Sequence, residues 1–286
     1  MSTLQDQRRI VVGVDGSPEA LRSVRWAVAE ARRRKGLLRL VTALDLVDGL
    51  GERYGGILRK QAEKSLEEAA AAATELAPEI VIEQRLSVKF PVAVLVAESR
   101  HAGMVVVGGG DLGRIASAVA GSVAAGVVTH AACPVVVVRG EEHASPAPVV
   151  VGVDASPVGE AAIAFAFEAA SARGVALSAV RTWGFPPWDV RTAPMWEDFV
   201  DEAERELAER LAGWGEKYPD VRVHRLVSHS RPAHRLLELS ESAQLVVVGS
   251  RGHGELAGLV LGSVSHAVVH RAACPVAVVR PASPAR

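Results

Sequence analysis

Gly249, Gly252, Gly254 and Gly258 follow a short apolar run, Leu245 to Val248, and precede Gly262-Ser263. Ser250, Arg251 and His253 stand between the first of these glycines. Glycine lets a backbone come close to a ligand and turn through positive φ. Apolar residues then recur at Val264, Ala267, Val268 and Ala272, which is helical spacing. The start of such a helix carries unpaired N–H groups and the positive end of the helix dipole, both of which attract phosphate. Ser263 can cap the helix or donate its hydroxyl to a phosphate oxygen. The chemistry on offer is anion binding. The plainer alternative is a glycine-rich connection closed by a serine cap.

The elements that would position this loop occur twice. IVVGVDGSPEA from Ile10 matches VVVGVDASPVG from Val149, pairing Gly13 and Asp15 with Gly152 and Asp154. The run from Val105 to Arg139 matches the run from Val246 to Arg280, pairing Cys133 with Cys274. The chain of 286 residues therefore reads as two near-copies, spanning 1–140 and 146–286, joined by a proline-containing linker over Glu141 to Pro148.

In the first copy, Ile10–Val14, Leu37–Leu44, Glu79–Val88, Met104–Val107 and Val135–Val138 read as strands. Pro18–Lys35, Tyr54–Leu76, Pro91–His101 and Ser122–Ala131 read as helices. Strands alternating with helices imply an α/β fold with a parallel sheet covered on both faces. Ligands in such sheets sit at the carboxyl ends of strands, where strand order reverses. Asp15 with the Gly108 loop, and Asp154 with the Gly249 loop, would then face one crevice each. Asp15 in D-G-S-P also reads as a turn or cap residue.

The spacing Gly249, two residues, Gly252, nine residues, Gly262-Ser263 resembles the nucleotide-binding signature of the universal stress protein family, and the repeat extends the resemblance over the whole chain. The resemblance implies two flavodoxin-like, Rossmann-type domains of the HUP class, each a five-stranded parallel sheet with helices on both faces. It implies an adenine-nucleotide site in each copy, occupied by ATP with Mg2+ as its companion. In the first copy that site would involve Gly13, Asp15, Val41, Gly108, Gly109, Asp111, Gly121 and Ser122. In the second it would involve Gly152, Asp154, Val180, Gly249, Ser250, Arg251, Gly252, His253, Gly254, Gly262, Ser263 and Val264. The aspartates would lie beside the nucleotide, the backbone near Val41 and Val180 would contact adenine, and the glycine loops would hold ribose and phosphates. The last strands, Val135–Val138 and Val276–Val279, each end a copy and are candidate sheet edges that recruit a partner strand. The resemblance points the same way. The two edges could pair within one chain, which the tether favours, or between chains. Further self-association to a homodimer is expected through other surfaces.

The two copies differ at one position of this signature. Asp111 stands where the second copy has Gly252. A carboxylate there repels phosphates, unless a metal ion or Arg114 compensates; pointed at solvent, it changes little.

Competing chemistries fit less well. Gly252 to Ala257 matches G-x-G-x-x-A, but it follows a fourth strand rather than a first, and no Asp or Glu occurs after Glu255. No G-x-x-x-x-G-K-[ST] supplies a phosphate lysine for fast hydrolysis. Ser263 and His266 are three apart on a helix, yet no acid orients them and G-x-S-x-G is absent. The histidines of the two copies do not align, and they suggest no shared catalytic or metal site. Cys133 and Cys274 read as small packing residues. Trp183 to Trp196 reads as a long aromatic loop, covering the second site or packing on the other copy.

A net charge of −1 argues against nucleic-acid binding through a basic field. The N-terminus lacks the apolar core of a signal peptide, and no apolar run is long enough for a membrane span. Two cysteines suit a reducing cytoplasm. The expectation is a cytoplasmic, ATP-binding regulatory or stress-response protein. The alternatives are a scaffold that binds no nucleotide and assembles through edge strands, or a slow ATPase or phosphotransferase.

Overall fold

The computed structural model describes residues 6, 8–45, 52–110, 118–140, 146–154, 156–182, 196–251 and 261–280, with side chains at all of them except 52–54, 118–122, 157 and 196–199. The chain divides into two compact units, Met1–Arg139 and Gly140–Arg286.

The first unit runs β1 (Arg9–Gly13), α1 (Pro18–Arg34), β2 (Leu37–Ala43), α2 (Glu52–Leu76), β3 (Ile82–Ser87), α3 (Pro91–Glu98), a 3-10 turn (Ser99–His101), β4 (Met104–Gly108), α4 (Ala118–His130) and β5 (Val135–Val138). Its strands lie in the order β3-β2-β1-β4-β5, all parallel. The second unit runs β6 (Val149–Gly152), α5 (Pro157–Arg173), β7 (Leu177–Thr182), α6 (Trp196–Leu211), α7 (Trp214–Lys217), β8 (Val223–Ser228), α8 (Pro232–Ser240), β9 (Leu245–Gly249), α9 (Ser263–Arg271) and β10 (Val276–Val279). Its order is β8-β7-β6-β9-β10, again parallel. This is the α/β architecture the alternating pattern implies. Strand order reverses between β1 and β4, and between β6 and β9.

The central strands are runs of valine because they are buried on both faces. Val11, Val12, Val105 and Val106 are fully buried, as are Val151, Val246 and Val247. The first helix of each unit starts by the same local chemistry. Ser17 and Ser156 cap α1 and α5 by accepting the Ala20 and Gly159 N–H groups, with Pro18 and Pro157 at the first helical position. The two helices end differently. Gly174 takes the left-handed turn after α5, whereas Lys35 takes it after α1.

Several boundaries depart from the pattern. Strand β3 spans Ile82–Ser87, shorter than the expected Glu79–Val88. The helix expected over Pro91–His101 tightens to 3-10 after Glu98. There the Ser99 hydroxyl donates to the Val96 carbonyl and accepts the Ala132 N–H. Such local side-chain bonds compete with α-helical continuation. Ser240 does the same in the second unit, donating to Leu237 and accepting from Ala273. Helix α4 begins at Ala118 rather than Ser122, since alanine at 118 and 120 favours earlier propagation.

The first unit also carries an ionic cluster the second lacks. Glu98, only 4% exposed, accepts from Arg39 at 2.9 Å and from Arg85, and Arg39 also bonds Glu83 at 2.7 Å. By sequence register, Ser178, Leu239, His224 and Leu226 stand at the places of Arg39, Glu98, Glu83 and Arg85.

Candidate functional site

The site begins where the first strand of each unit ends. Past Gly13 and Gly152 the chain stays in register for one more residue, with Val14 N–H donating to Val41 O at 2.9 Å and Val153 N–H to Val180 O at 2.8 Å. The aspartate follows. Asp154 Oδ1 accepts the Ser156 N–H at 3.1 Å and its hydroxyl at 2.5 Å. Asp15 does the same with Ser17, at 2.9 and 2.6 Å. Each is therefore an Asx turn that sets up the following helix. The turn uses Oδ1 and leaves Oδ2 for a ligand donor.

The first glycine of each fourth-strand loop answers to packing. A Cβ on Gly249 would lie 2.9 Å from Val158 Cγ1 of α5, and one on Gly108 would lie 3.1 Å from Glu19 Cβ of α1. Glycine stands there because the first helix of the unit crosses close by. Positive φ plays no part at either residue, nor at Gly262, whose φ is −67°.

Helix α9 starts at the crevice. Gly262, not Ser263, is the N-cap, and it is extended with no side-chain cap bond. This corrects the capping role considered for Ser263, which is instead the first helical residue. Gly262 N–H donates to Ser250 O, and the first intrahelical bond comes from His266 N–H. The N–H groups of Ser263, Val264 and Ser265 precede that bond and are the ones a helix leaves to a ligand. The Ser265 hydroxyl donates to Gly249 O, tying the helix start to the strand end.

These pieces enclose a cavity of about 300 Å³ in the second unit. Gly152, Asp154, Val180, Gly249, Arg251, Gly262, Ser263 and Val264, all expected on sequence grounds, line it. Ser250 does not. It is buried, and its N–H pairs with Val279 O at 2.7 Å. Gly252, His253 and Gly254 lie outside the described residues, as does the aromatic stretch over residues 183–195.

Arg181, Thr182, Leu236 and Ser265 also line the cavity and escaped the sequence reading. Ser265 had a signal: it falls on the buried stripe of α9 with Val268 and Val269. Arg181 is held by Glu206 of α6 at 2.5 Å. Arg251 is exposed at the mouth. Burial first, and then the nearby charge of Arg251, lower the pKa of Arg280. Arg181 and Arg251 thus bring positive charge, and Asp154 negative charge, to the cavity lining.

In the first unit, Gly13, Asp15, Val41, Gly108 and Gly109 take the equivalent strand-end positions. Asp111 and Arg114 lie outside the described residues. The helix start expected at Ser122 moves to Ala118, so Gly121 and Ser122 lie inside α4. The cysteines are buried and in no disulfide, as packing residues should be. Burial pushes the Cys133 thiol up to about 12.

One histidine pairing was not foreseen. His266 and His270 stack on α9 with ring centres 4.2 Å apart. Among the described residues, no group of three or more His, Cys, Asp or Glu is placed to hold a metal, and no helix is long and apolar enough to cross a membrane.

Comparison with known proteins follows this geometry. A model of the universal stress protein family matches residues 7–139 and again 147–280. A universal stress protein of Mycobacterium tuberculosis is 42% identical over 297 positions, covering 98% of this chain and 99% of that protein. One of Mycolicibacterium smegmatis is 38% identical, covering 95% and 97%. Among solved structures, a universal stress protein from Archaeoglobus fulgidus gives a TM-score of 0.70 at 20% identity, covering 96% of this chain and 97% of that one, which bears on the fold alone.

Proposed function

The chain belongs to the universal stress protein family, and on that premise we propose that it is an adenine-nucleotide-binding regulatory protein that takes ATP in its second unit. The observation that carries this reading is the cavity at the carboxyl ends of β6, β7 and β9. Its walls divide by chemistry. Val180, Leu236 and Val248 offer an apolar surface for a flat base. The open N–H groups at the start of α9, with Arg251 beside them, suit phosphate oxygens. Asp154 Oδ2 suits a ribose hydroxyl or an amino group. The volume falls at the small end of the range for small-molecule sites, roughly 300–1,000 Å³.

The arrangement favours binding over fast turnover. No lysine stands where a P-loop NTPase places one. In this proposal ATP arrives with its Mg2+, the first unit binds it more weakly, and the protein works as a cytoplasmic homodimer in a stress response.

The test is calorimetric titration of the intact chain with Mg-ATP, together with identification of any nucleotide that co-purifies. Saturable binding abolished by Gly262→Val supports the reading. The absence of both heat and bound nucleotide overturns it in favour of a scaffold. Light scattering on the same sample tests the homodimer.

A further inference from the structure

Helix α9 carries histidines at 266 and 270, one turn apart on the same side. His266 is exposed and His270 half-buried. Their ring centres are 4.2 Å apart and their planes are inclined by 30°. Two imidazole nitrogens bound side by side to one metal, each at about 2.0 Å and at a right angle, put their ring centres roughly 4.5 Å apart. The ring centres already stand near that spacing. We propose that His266 and His270 form a divalent transition-metal site, selective for copper(II) over zinc and closed to magnesium.

The selectivity follows from the donor set. Two neutral imidazoles suit borderline metals, and copper(II) heads the affinity order for such ligands. Magnesium demands oxygen ligands in an octahedron. No third His, Cys, Asp or Glu joins the pair among the described residues, which leaves coordination positions open to water. That suits the tetragonal nitrogen-and-oxygen sphere of copper(II) better than the closed tetrahedron of structural zinc. The site is single within the repeat, because Ala125 and Thr129 occupy the matching places in the first unit. It is also independent of the nucleotide reading, since neither histidine lines the cavity.

The experiment is titration of copper(II) chloride into the full, tag-free chain, followed by calorimetry and by electron paramagnetic resonance. The expected result is one tight equivalent with nitrogen hyperfine structure. His266→Ala and His270→Gln should each remove that equivalent, while His234→Ala, on a different helix, keeps it. Should His270→Gln melt early, His266→Ala reads the site alone, because its position is exposed. The proposal is overturned if the wild-type chain takes no tight copper(II), if a folded variant of either histidine retains the equivalent, or if His234→Ala loses it as well.

Discussion

The hydroxyl of Ser265 donates to the carbonyl of Gly249. The bond joins the end of β9 to the first turn of α9, two elements that both line the cavity. Ser265→Ala leaves a partly buried carbonyl without its donor. The second unit should lose about 1–3 kcal/mol, and ATP affinity should fall because the helix start is no longer held. Urea denaturation and calorimetry read the two effects. Stability and affinity both at the wild-type level would show that this bond positions nothing.

Gly262→Val tests the approach of a ligand to the helix start. With φ at −67° and ψ at 152°, valine adopts the backbone without strain. Its bulk would be added at a residue that lines the cavity. The variant should fold normally and lose ATP binding in the second unit. Retained affinity in a folded variant argues against phosphate at this helix start.

Asp111→Gly restores the second unit's residue in the first. In an intact chain already carrying Gly262→Val, it should raise triphosphate affinity, because a carboxylate near phosphates repels them. The comparison is of Mg-ATP titrations with and without the change. An unaltered affinity means that Asp111 points away from the ligand.

Glu98→Ala removes one of the two carboxylates that Arg39 bonds, leaving it Glu83, and removes the partner of Arg85. Breaking a buried pair costs several kcal/mol, and the partial exposure of Arg39 and Arg85 lowers this to about 2–3 kcal/mol. Combining Glu98→Leu with Arg39→Ser copies the second unit and should recover most of the loss. Thermal denaturation separates the cases. A single variant as stable as the double would remove the pair from the stability account.

Cys133 gives a pH signature. In the folded chain its thiol is pushed up to about 12, against 9.0 for a free thiol. The unfolded chain therefore releases this proton first as pH rises. Its contribution is fully present below pH 9.0 and is lost as pH climbs towards about 12. The urea midpoint should fall more steeply above pH 9.0 in the wild type than in Cys133→Ala. Native-state alkylation at neutral pH should be slow. Equal alkaline slopes, or rapid native labelling, would contradict the burial.

Much of this was legible in the sequence, for identifiable reasons. The valine runs, the serine-proline helix starts and the repeat are local signals, and they gave the strand and helix order. Gly249 was legible as important, but its reason was not. The side chain it must avoid, Val158, lies far away in sequence and meets it only once α5 packs. Arg181 and Leu236 reach the cavity through tertiary packing, which spacing does not encode. The early start of α4, with Gly121 and Ser122 inside it, shows helix propensity overriding an expected boundary between matching segments.

The outer strands β3 and β8 have a partner on one side only within their units. Glu83 and Arg85 lie on the first, His224 and Arg225 on the second. A bare strand edge is a template on which another chain can grow, and charge along it makes each added strand bury ions. The polar residues on these outer strands are thus also a guard against fibre growth. Replacing His224 and Arg225 with valine would leave the second unit's fold largely intact while opening a seam for aggregation.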